Sequence, residues 1–410
     1  MTVVITADYA YVNGGAARIA LESAKGLAAR GHDVVLFTAV GPVAEDLVNV
    51  PRLRIICLDQ EDVWTDPNRL RAAAHSVWNR DAAQRMRALL DTLDPTDTVV
   101  HLHSWTKALS TSVVRAVRDG GFRLVTTLHD FLTVCPTGTL FNYGTGRCCG
   151  LTPLSASCIT SNCDSRSYAH KLWRVGRQVV QSRVGGLPAE GGHFIAISEA
   201  TDRKLRELLP RDAQLHHVHN FTEVPRRPPV DVGDNVNVLY VGRLSAEKGP
   251  LLLADCLQRV GARGVFVGDG DLRAAVRTRC PSAVTTGWLS PDGVREHLAQ
   301  ARMLVLPSLW FEAQGLVVAE AAAMGIPSLV PDTSGARDWV DDGVDGFWFR
   351  GGDPDDLSRQ ILRLLREPAL AARLGRAAYE RFWAAPPTLD QHLSELERIY
   401  GDMLAMEASA

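Results

Sequence analysis

The sequence predicts an α/β protein built of two doubly wound domains. Short apolar runs alternate with amphipathic helical stretches from end to end, the pattern of a parallel sheet with helices on its faces. The chain has 410 residues, more than a single hydrophobic core commonly serves. A proline-rich polar stretch, PRRPPVDVGDN at 225–235, interrupts the alternation and reads as a linker. The expected division is a first domain over 1–224, the linker at 225–235, a second domain over 236–385 and a last helix over 386–410. Hydrophobic residues make up 46 % and charged residues 22 %, so the chain is an ordinary globular one. A net charge of -3 argues against a general nucleic-acid binder. No apolar run reaches the roughly 18 to 20 residues that span a bilayer. The start, MTVVITADYA, lacks a basic region and reads as a strand, so a cytoplasmic location is expected.

In the first domain, residues 3–6 form a strand and Tyr11-Val12-Asn13-Gly14-Gly15 follows it. A helix then runs from Ala16 to about Arg30, with Gly31 as its C-cap. A glycine pair there lets backbone approach a ligand closely; a plain turn is the alternative. Strands are expected at 32–38 and 54–58, one long polar-faced helix at 68–93, a strand at 98–102, a helix at 107–118 and a strand at 123–128 that ends in His129-Asp130. Ligands of doubly wound sheets sit beyond the carboxyl ends of the strands, so His129 is placed to face a cleft. A capping histidine is the alternative, and chemistry alone does not separate His129 from His101 and His103.

Next comes an irregular segment too long to be a bare loop. It carries five cysteines, Cys135, Cys148, Cys149, Cys158 and Cys163. In a reducing compartment such a cluster points to metal or redox chemistry before a disulfide framework. Four thiolates around zinc would order the segment, binding energy acting as folding energy. The expected ligands are Cys135, Cys148, Cys158 and Cys163, in a closed structural site outside the chemistry. Disulfide or redox chemistry and free packed thiols are the other readings. A helix expected over 165–183 carries Arg166, Lys171, Arg174, Arg177 and Arg183 among Leu172, Trp173, Val175 and Val179. It would suit peripheral contact with an anionic membrane surface, or one solvated and one packed face. A strand at 193–197, a helix at 199–209 capped by Ser198 and a strand at 215–219 complete the domain.

The second domain opens with a strand at 237–241 and the loop Gly242-Arg243-Leu-Ser-Ala-Glu-Lys248-Gly249. An Arg and a Lys on a glycine-bounded loop at a strand end make a diphosphate clamp; plain surface charges are the alternative. The strand at 265–267 runs into Gly268-Asp269-Gly270, which lacks the spacing of a dinucleotide fingerprint. The stretch LVLPSLWFEAQGLVVAEAAAMGIPSLV over 304–330 reads as strand, loop, helix and strand, with Gly315 opening the helix. Glu312 precedes that helix and Glu320 lies within it. The backbone N–H groups of Gln314, Gly315 and Leu316 stand at the helix N-terminus, where unpaired donors and the dipole favour an anion. Carboxylates beside such a site would accept hydrogen bonds from sugar hydroxyls; two surface glutamates are the plainer reading. Helices over 355–382 follow, Ala384-Ala385-Pro386-Pro387 breaks them, and a last helix covers 389–403.

Glu312, seven residues, then Glu320 and Ala-Ala-Ala-Met-Gly-Ile-Pro resembles the paired-glutamate signature of family 4 retaining glycosyltransferases. Where that family has Gly and an aromatic after the first glutamate, this chain has Ala313 and Gln314. The Arg243–Lys248 loop resembles the family's phosphate-binding signature, and Gly14-Gly15 with Gly31-His32-Asp33-Val34 resembles its first-domain glycine loop and second strand. Asn162-Cys163-Asp164-Ser165-Arg166 and Lys171-Leu172-Trp173-Arg174 resemble runs of bacterial polysaccharide glycosyltransferases. The resemblance implies the GT-B fold: two Rossmann-like domains facing a cleft, with the last helix crossing back to the first. It implies a UDP- or GDP-sugar donor held mainly by the second domain, and a polysaccharide, lipid-linked or small-molecule acceptor on the first. It also implies a same-face mechanism that needs no catalytic cofactor. By the same resemblance Arg243 and Lys248 neutralise the leaving diphosphate, Glu312 binds donor-sugar hydroxyls, Glu320 binds the ribose and His129 approaches the donor sugar. A phosphorylase or hydrolase on this fold, and a non-catalytic nucleotide-sugar-binding protein, are the rivals.

Overall fold

Two parallel sheets carry the chain in this computed structural model, which describes residues 1–405. The first domain holds β1 (Thr2–Tyr9), β2 (Asp33–Val40), β3 (Leu53–Cys57), β4 (Thr98–Leu102), β5 (Arg123–Leu128), the hairpin β6 (Phe141–Asn142) and β7 (Arg147–Cys148), then β8 (His193–Ala196) and β9 (Gln214–His217). Its seven-stranded sheet runs β3-β2-β1-β4-β5-β8-β9. The second domain holds β10 (Asn237–Val241), β11 (Gly264–Val267), β12 (Val284–Gly287), β13 (Ala301–Val305), β14 (Ser328–Pro331) and β15 (Gly346–Phe349), in the order β12-β11-β10-β13-β14-β15. Buried on both faces, the central strands are nearly continuous apolar runs: Val3 to Tyr9 of β1 and all of β13 are buried. Strand order reverses between β1 and β4 in one sheet and between β10 and β13 in the other. Loops leaving those strand ends diverge and open a crevice, the place where such sheets bind ligands. The Gly14-Gly15 turn, the Arg243–Lys248 loop and the Glu312 loop all leave from these points.

Two expected helices come out differently. The one helix expected at 68–93 is two, Arg69–Val77 and Arg80–Leu90. Asn79 breaks it: its buried side chain accepts from the Ala82 N–H (3.1 Å), capping the second helix, and donates to the Ala108 carbonyl (2.8 Å). The helix expected from 107 begins at Ser112. Before it, the N–H groups of Lys107, Ala108 and Leu109 donate to the Asp8 carboxylate at 3.2, 2.9 and 3.1 Å. A tertiary partner has taken the donors that a first helical turn would leave free.

The linker forms neither strand nor helix, yet Val232 is fully buried in the second core and the Val230 N–H donates to the Met324 carbonyl (2.9 Å). Packing of the second domain therefore begins before residue 236. The last helix, Leu389–Ala405, lies on the first domain. Its Leu393, Leu396, Ile399, Tyr400 and Met403 are buried in one cluster with Val3, Ile5 and Leu36, and the Tyr400 hydroxyl sits 2.6 Å from His101 Nδ1. The end of the expected helix, 406–410, lies outside the described residues. Where the chain crosses between domains, the Thr222 N–H donates to the Pro387 carbonyl (3.0 Å), so the two crossings lie side by side. Among the described residues no helix is long and apolar enough to cross a membrane.

Candidate active site

The second domain builds its half of the site around one carboxylate. Lys248 Nζ lies 2.6 Å from Glu312 Oε2, and the same oxygen receives the Trp310 indole N–H (3.0 Å) and the Ser308 hydroxyl (3.1 Å). Lys248 also stands over the Trp310 ring, 4.7 Å from its centroid. Burial works to raise the Glu312 pKa; the charge and hydrogen bond of Lys248, with Trp310 and Ser308, outweigh it and hold the carboxyl below its ordinary range. Glu312 is therefore an ionised acceptor. Among the described residues nothing donates to its Oε1, which leaves that oxygen for a ligand hydroxyl.

Gly315 caps the helix Leu316–Ala323 in the left-handed conformation, φ 69° and ψ 54°. A Cβ there would come within 2.8 Å of the Ala336 Cβ, so both the backbone angle and the packing require glycine. Just before it, Gln314 is buried with both amide atoms unpartnered. A buried amide without partners is rare enough to call for one from outside the chain. Glu320 lies further along this helix, half-buried, and is not in the wall of the interdomain cavity. Burial raises its carboxyl above the ordinary 4.5, with only Arg18 and Arg295 acting against that. Arg243 is exposed, has no ion-pair partner among the described residues and does not line the cavity; Lys248 does.

On the first-domain side Gly14 has φ 104°, and no atom lies within 4 Å of where a Cβ of Gly14 or Gly15 would be. The space in front of the turn is open. The three histidines are now distinct. His101 is wholly buried between Tyr400 and Thr127. His103 stands behind His129, with its Nδ1 3.0 Å from His129 Nε2. His129 alone of the three reaches the interdomain cavity. Burial, helped by the charge of His392, pushes His129 down to about 3, so its imidazole is neutral near pH 7 and acts as a hydrogen-bonding group rather than a cation.

The two halves meet in a cavity of about 260 Å³, walled by Gly15, His129 and Asn220 from the first domain and by Lys248, Glu312 and Gln314 from the second. Ser308, Trp310 and Asn220 escaped the sequence reading. Ser308 and Trp310 flank Glu312 within four residues, a signal that was available; Asn220 gave none beyond its place after a strand. Contacts across the cleft include Thr201 Oγ1 donating to the Ala313 carbonyl (2.9 Å) and the Phe131 ring edge-on to Phe311 (5.5 Å).

Residues 13–226, just over half of the chain, match the sequence model of Glycosyltransferase Family 4. The chain belongs to glycosyltransferase family 4. A second model, Glycosyl transferases group 1, matches 235–367, so the two matches divide at the linker. Among curated proteins the family 4 chain resembles an alpha-D-kanosaminyltransferase of Streptomyces kanamyceticus, at 28 % identity over 207 residues, 48 % of this chain and 50 % of that protein. It also resembles a D-inositol 3-phosphate glycosyltransferase of Streptomyces avermitilis, at 44 % over 203 residues, 50 % of this chain and 38 % of that protein. The matches thus span half or less of these relatives. Among solved structures, sucrose-phosphate synthase from Thermosynechococcus elongatus superposes with a TM-score of 0.73 at 18 % identity, over 98 % of this chain and 99 % of that one. Anabaena HepE, solved with UDP-glucose, superposes at 0.65 and 16 % identity, over 98 % and 100 %. The fold is GT-B.

The cysteine segment of this family 4 chain departs from the zinc expectation. Cys148 is exposed and its thiol donates to the Leu309 carbonyl across the cleft (3.2 Å). Fully buried Lys171 places Nζ 3.2 Å from Cys163 Sγ and 3.7 Å from Cys158 Sγ, so an ammonium stands between two of the expected ligands. Among the described residues the ligand atoms close enough to share an ion are those of His217, His219 and Asp338, not the cysteines. The set Cys135, Cys148, Cys158 and Cys163 is not assembled. The segment is packed into the domain and its carbonyls are capped. Phe131, Val134, Cys135 and Leu140 enter the first-domain core. Arg174, Arg177, Gln178 and Gln181 of the helix Tyr168–Arg183 donate to the carbonyls of Thr137, Pro136, Thr133 and Leu132. Of the basic residues on this helix, Lys171 and Arg177 are buried, while Leu172 and Val179 are exposed.

Proposed function

We propose that the chain is a retaining glycosyltransferase that moves a hexose-type sugar from a UDP- or GDP-sugar to a carbohydrate acceptor, whether polysaccharide, lipid-linked glycan or small molecule. The observation that carries this reading is the Lys248–Glu312 pair beside the Gly315 helix N-terminus, facing neutral His129 across one cavity. In this reading the diphosphate lies at the N–H groups of the helix, and Lys248 and Arg243 take up the charge that grows as the sugar leaves. Glu312 Oε1 accepts from donor-sugar hydroxyls, Glu320 from the ribose, and His129 bonds a sugar hydroxyl as a neutral imidazole. Glu312, already held by three donors, is a poor nucleophile. The leaving phosphate then takes the acceptor proton on the same face of the sugar, and catalysis consists of positioning and electrostatics. UDP-glucose in HepE supports a nucleotide-sugar donor, and the name of the kanosaminyltransferase supports sugar transfer.

Release of nucleoside diphosphate from UDP-, GDP- and ADP-sugars, with the anomeric configuration of the product read by NMR, tests the proposal. Inversion, phosphate-dependent cleavage or binding without turnover would favour a rival. Glu320→Ala should weaken nucleoside diphosphate binding measured by calorimetry, and Glu312→Ala should spare that affinity while damaging transfer. Ribose hydroxyls donate to the ionised Glu320, whose pKa lies above 4.5 in the folded protein. Affinity should therefore fall as pH drops through that raised value, and Glu320→Ala should flatten the dependence. A pH profile identical in both proteins would remove Glu320 from the nucleotide site.

A further inference from the structure

The first domain carries a second cavity, of about 390 Å³, between the helices Arg69–Val77 and Tyr168–Arg183. That volume is large enough for a small ligand. Five cations line it, Arg69, Lys107, Arg166, Arg174 and Arg177, together with His170, and no carboxylate does. Asp164, buried behind the wall, is engaged by His170 (3.0 Å) and Arg174 (3.2 Å), while Asp8 and Asp130 act on Lys107 and Arg177 without forming an ion pair with either. Arg177 is the most telling of them. It is 9 % exposed; one terminal nitrogen donates to the Pro136 carbonyl (3.3 Å), its Nε has no partner, and no carboxylate lies at ion-pair distance among the described residues. Burial pushes this guanidinium down to about 10, and neighbouring Arg174 adds to the effect. The charges of Asp130 and Asp8 oppose that shift without reversing it, and a buried cation with no anion in contact is costly.

The other walls are apolar and aromatic. Trp64 is 51 % exposed, with the Arg166 guanidinium 4.3 Å from its ring centre, and Arg177 stands 5.5 Å from that of Trp173. The cavity also adjoins the site already described. Lys107 and Leu132 line both this cavity and a small one of about 90 Å³, which His129 lines in turn. His129 also walls the interdomain cavity.

We infer that the basic cavity binds a phosphate carried by the acceptor, with the adjoining sugar against Trp64 and Trp173 so that its hydroxyl reaches past Lys107 toward His129. Arginine forks match phosphate oxygens in geometry and charge, and the apolar ring faces suit a sugar face. The inference rests on the proposed glycosyl transfer. The phosphate can belong to a soluble sugar phosphate or join a glycan to a lipid; the recognised chemistry is the same.

The experiment uses the full chain saturated with whichever of UDP, GDP or ADP it binds, so that added phosphate does not occupy the donor site. Calorimetric titrations compare glucose 1-phosphate, a decyl diphosphate-linked glucose, neutral methyl glucoside and neutral decyl glucoside. Each phosphorylated probe should bind at least about tenfold tighter than its neutral counterpart, the discrimination expected of one charged hydrogen bond. The soluble probe prevailing would indicate a sugar phosphate, and the decyl probe a lipid-linked glycan. Arg166→Glu, on an exposed residue, should erase the preference, and Arg177→Met should do the same in protein that still binds nucleoside diphosphate. Equal affinity for charged and neutral probes, or an Arg166→Glu variant that keeps the preference, would overturn the inference while leaving the donor reading intact. Absence of any nucleoside diphosphate binding or sugar transfer would count against the donor reading instead, and the phosphate preference would still be read directly.

Discussion

Replacing Lys248 by alanine should lower kcat about 10²–10³-fold in a protein that still folds, the usual loss when one preorganised donor to a developing charge is removed. Removing one partner of a fully buried ion pair commonly costs about 3–5 kcal/mol of stability. Here the cost should be smaller, because the Ser308 hydroxyl and the Trp310 N–H still serve the Glu312 carboxylate. The pH dependence separates the two effects. In the intact protein the Glu312 pKa is depressed, so its stabilising contribution is present above the unfolded value of 4.5 and is lost as pH falls through the lower folded value. Without Lys248 the largest influence holding the pKa down is gone, and burial is opposed only by Trp310 and Ser308, so the depression should shrink or reverse. The gap in Tm between the two proteins should therefore be widest near neutrality and narrow toward acid. Glu312→Gln combined with Lys248→Ala should recover stability but not kcat, since the charge that meets the diphosphate stays absent. A folded Lys248→Ala protein with near-normal turnover would end the assignment.

Ending the chain at residue 388 should leave the second domain folded and the first domain not. Leu393, Leu396, Ile399, Tyr400 and Met403 are all buried against the first sheet and its helices. Burying a large apolar side chain contributes about 1.5–3 kcal/mol. Five of them together are comparable to the whole stability of a domain, about 5–15 kcal/mol. The milder Leu396→Ala should cost about 2–5 kcal/mol, and only in the unfolding transition of the first domain, although residue 396 follows the entire second domain in sequence. Urea unfolding followed by near-ultraviolet circular dichroism or hydrogen exchange resolves the two transitions. A first-domain midpoint indifferent to Leu396→Ala would contradict the packing.

Much of the architecture was legible because it depends on local signals. Apolar runs marked the strands, and Gly315 marked the start of its helix. The separate candidacies of Lys248, Glu312 and His129 followed from loops at strand ends. Their meeting did not, because Lys248 and Glu312 are 64 residues apart and their distance depends on β10 lying beside β13. Asn79 hid as one more polar residue in a helical pattern; only its buried hydrogen bonds show it to be a cap. Adjacent Cys148 and Cys149 could not be separated by composition; in the folded chain Cys148 is exposed and Cys149 is half-buried. The cysteine segment was expected to need a metal because the hydrogen bonds its carbonyls accept come from a helix that looked like a surface element. The same helix supplies Arg174 and Arg177 to the basic cavity, which no short motif announced.

The paired crossings have a mechanical consequence. The chain passes between domains twice, and the Thr222–Pro387 hydrogen bond holds the two passages together. Two bodies joined along one such line should swing like the boards of a book about its spine. Contacts away from that line act as clasps, among them the hydrogen bonds of Thr201 with Ala313, Cys148 with Leu309 and Glu199 with Asp338, and the Phe131–Phe311 ring contact. Swinging open breaks the clasps and exposes Glu312 and His129 together, so the Lys248 half of the site and the His129 half separate without either domain unfolding. Spin labels across the clasps should report a broad distance distribution that narrows with nucleoside diphosphate, while labels astride the spine keep one distance throughout.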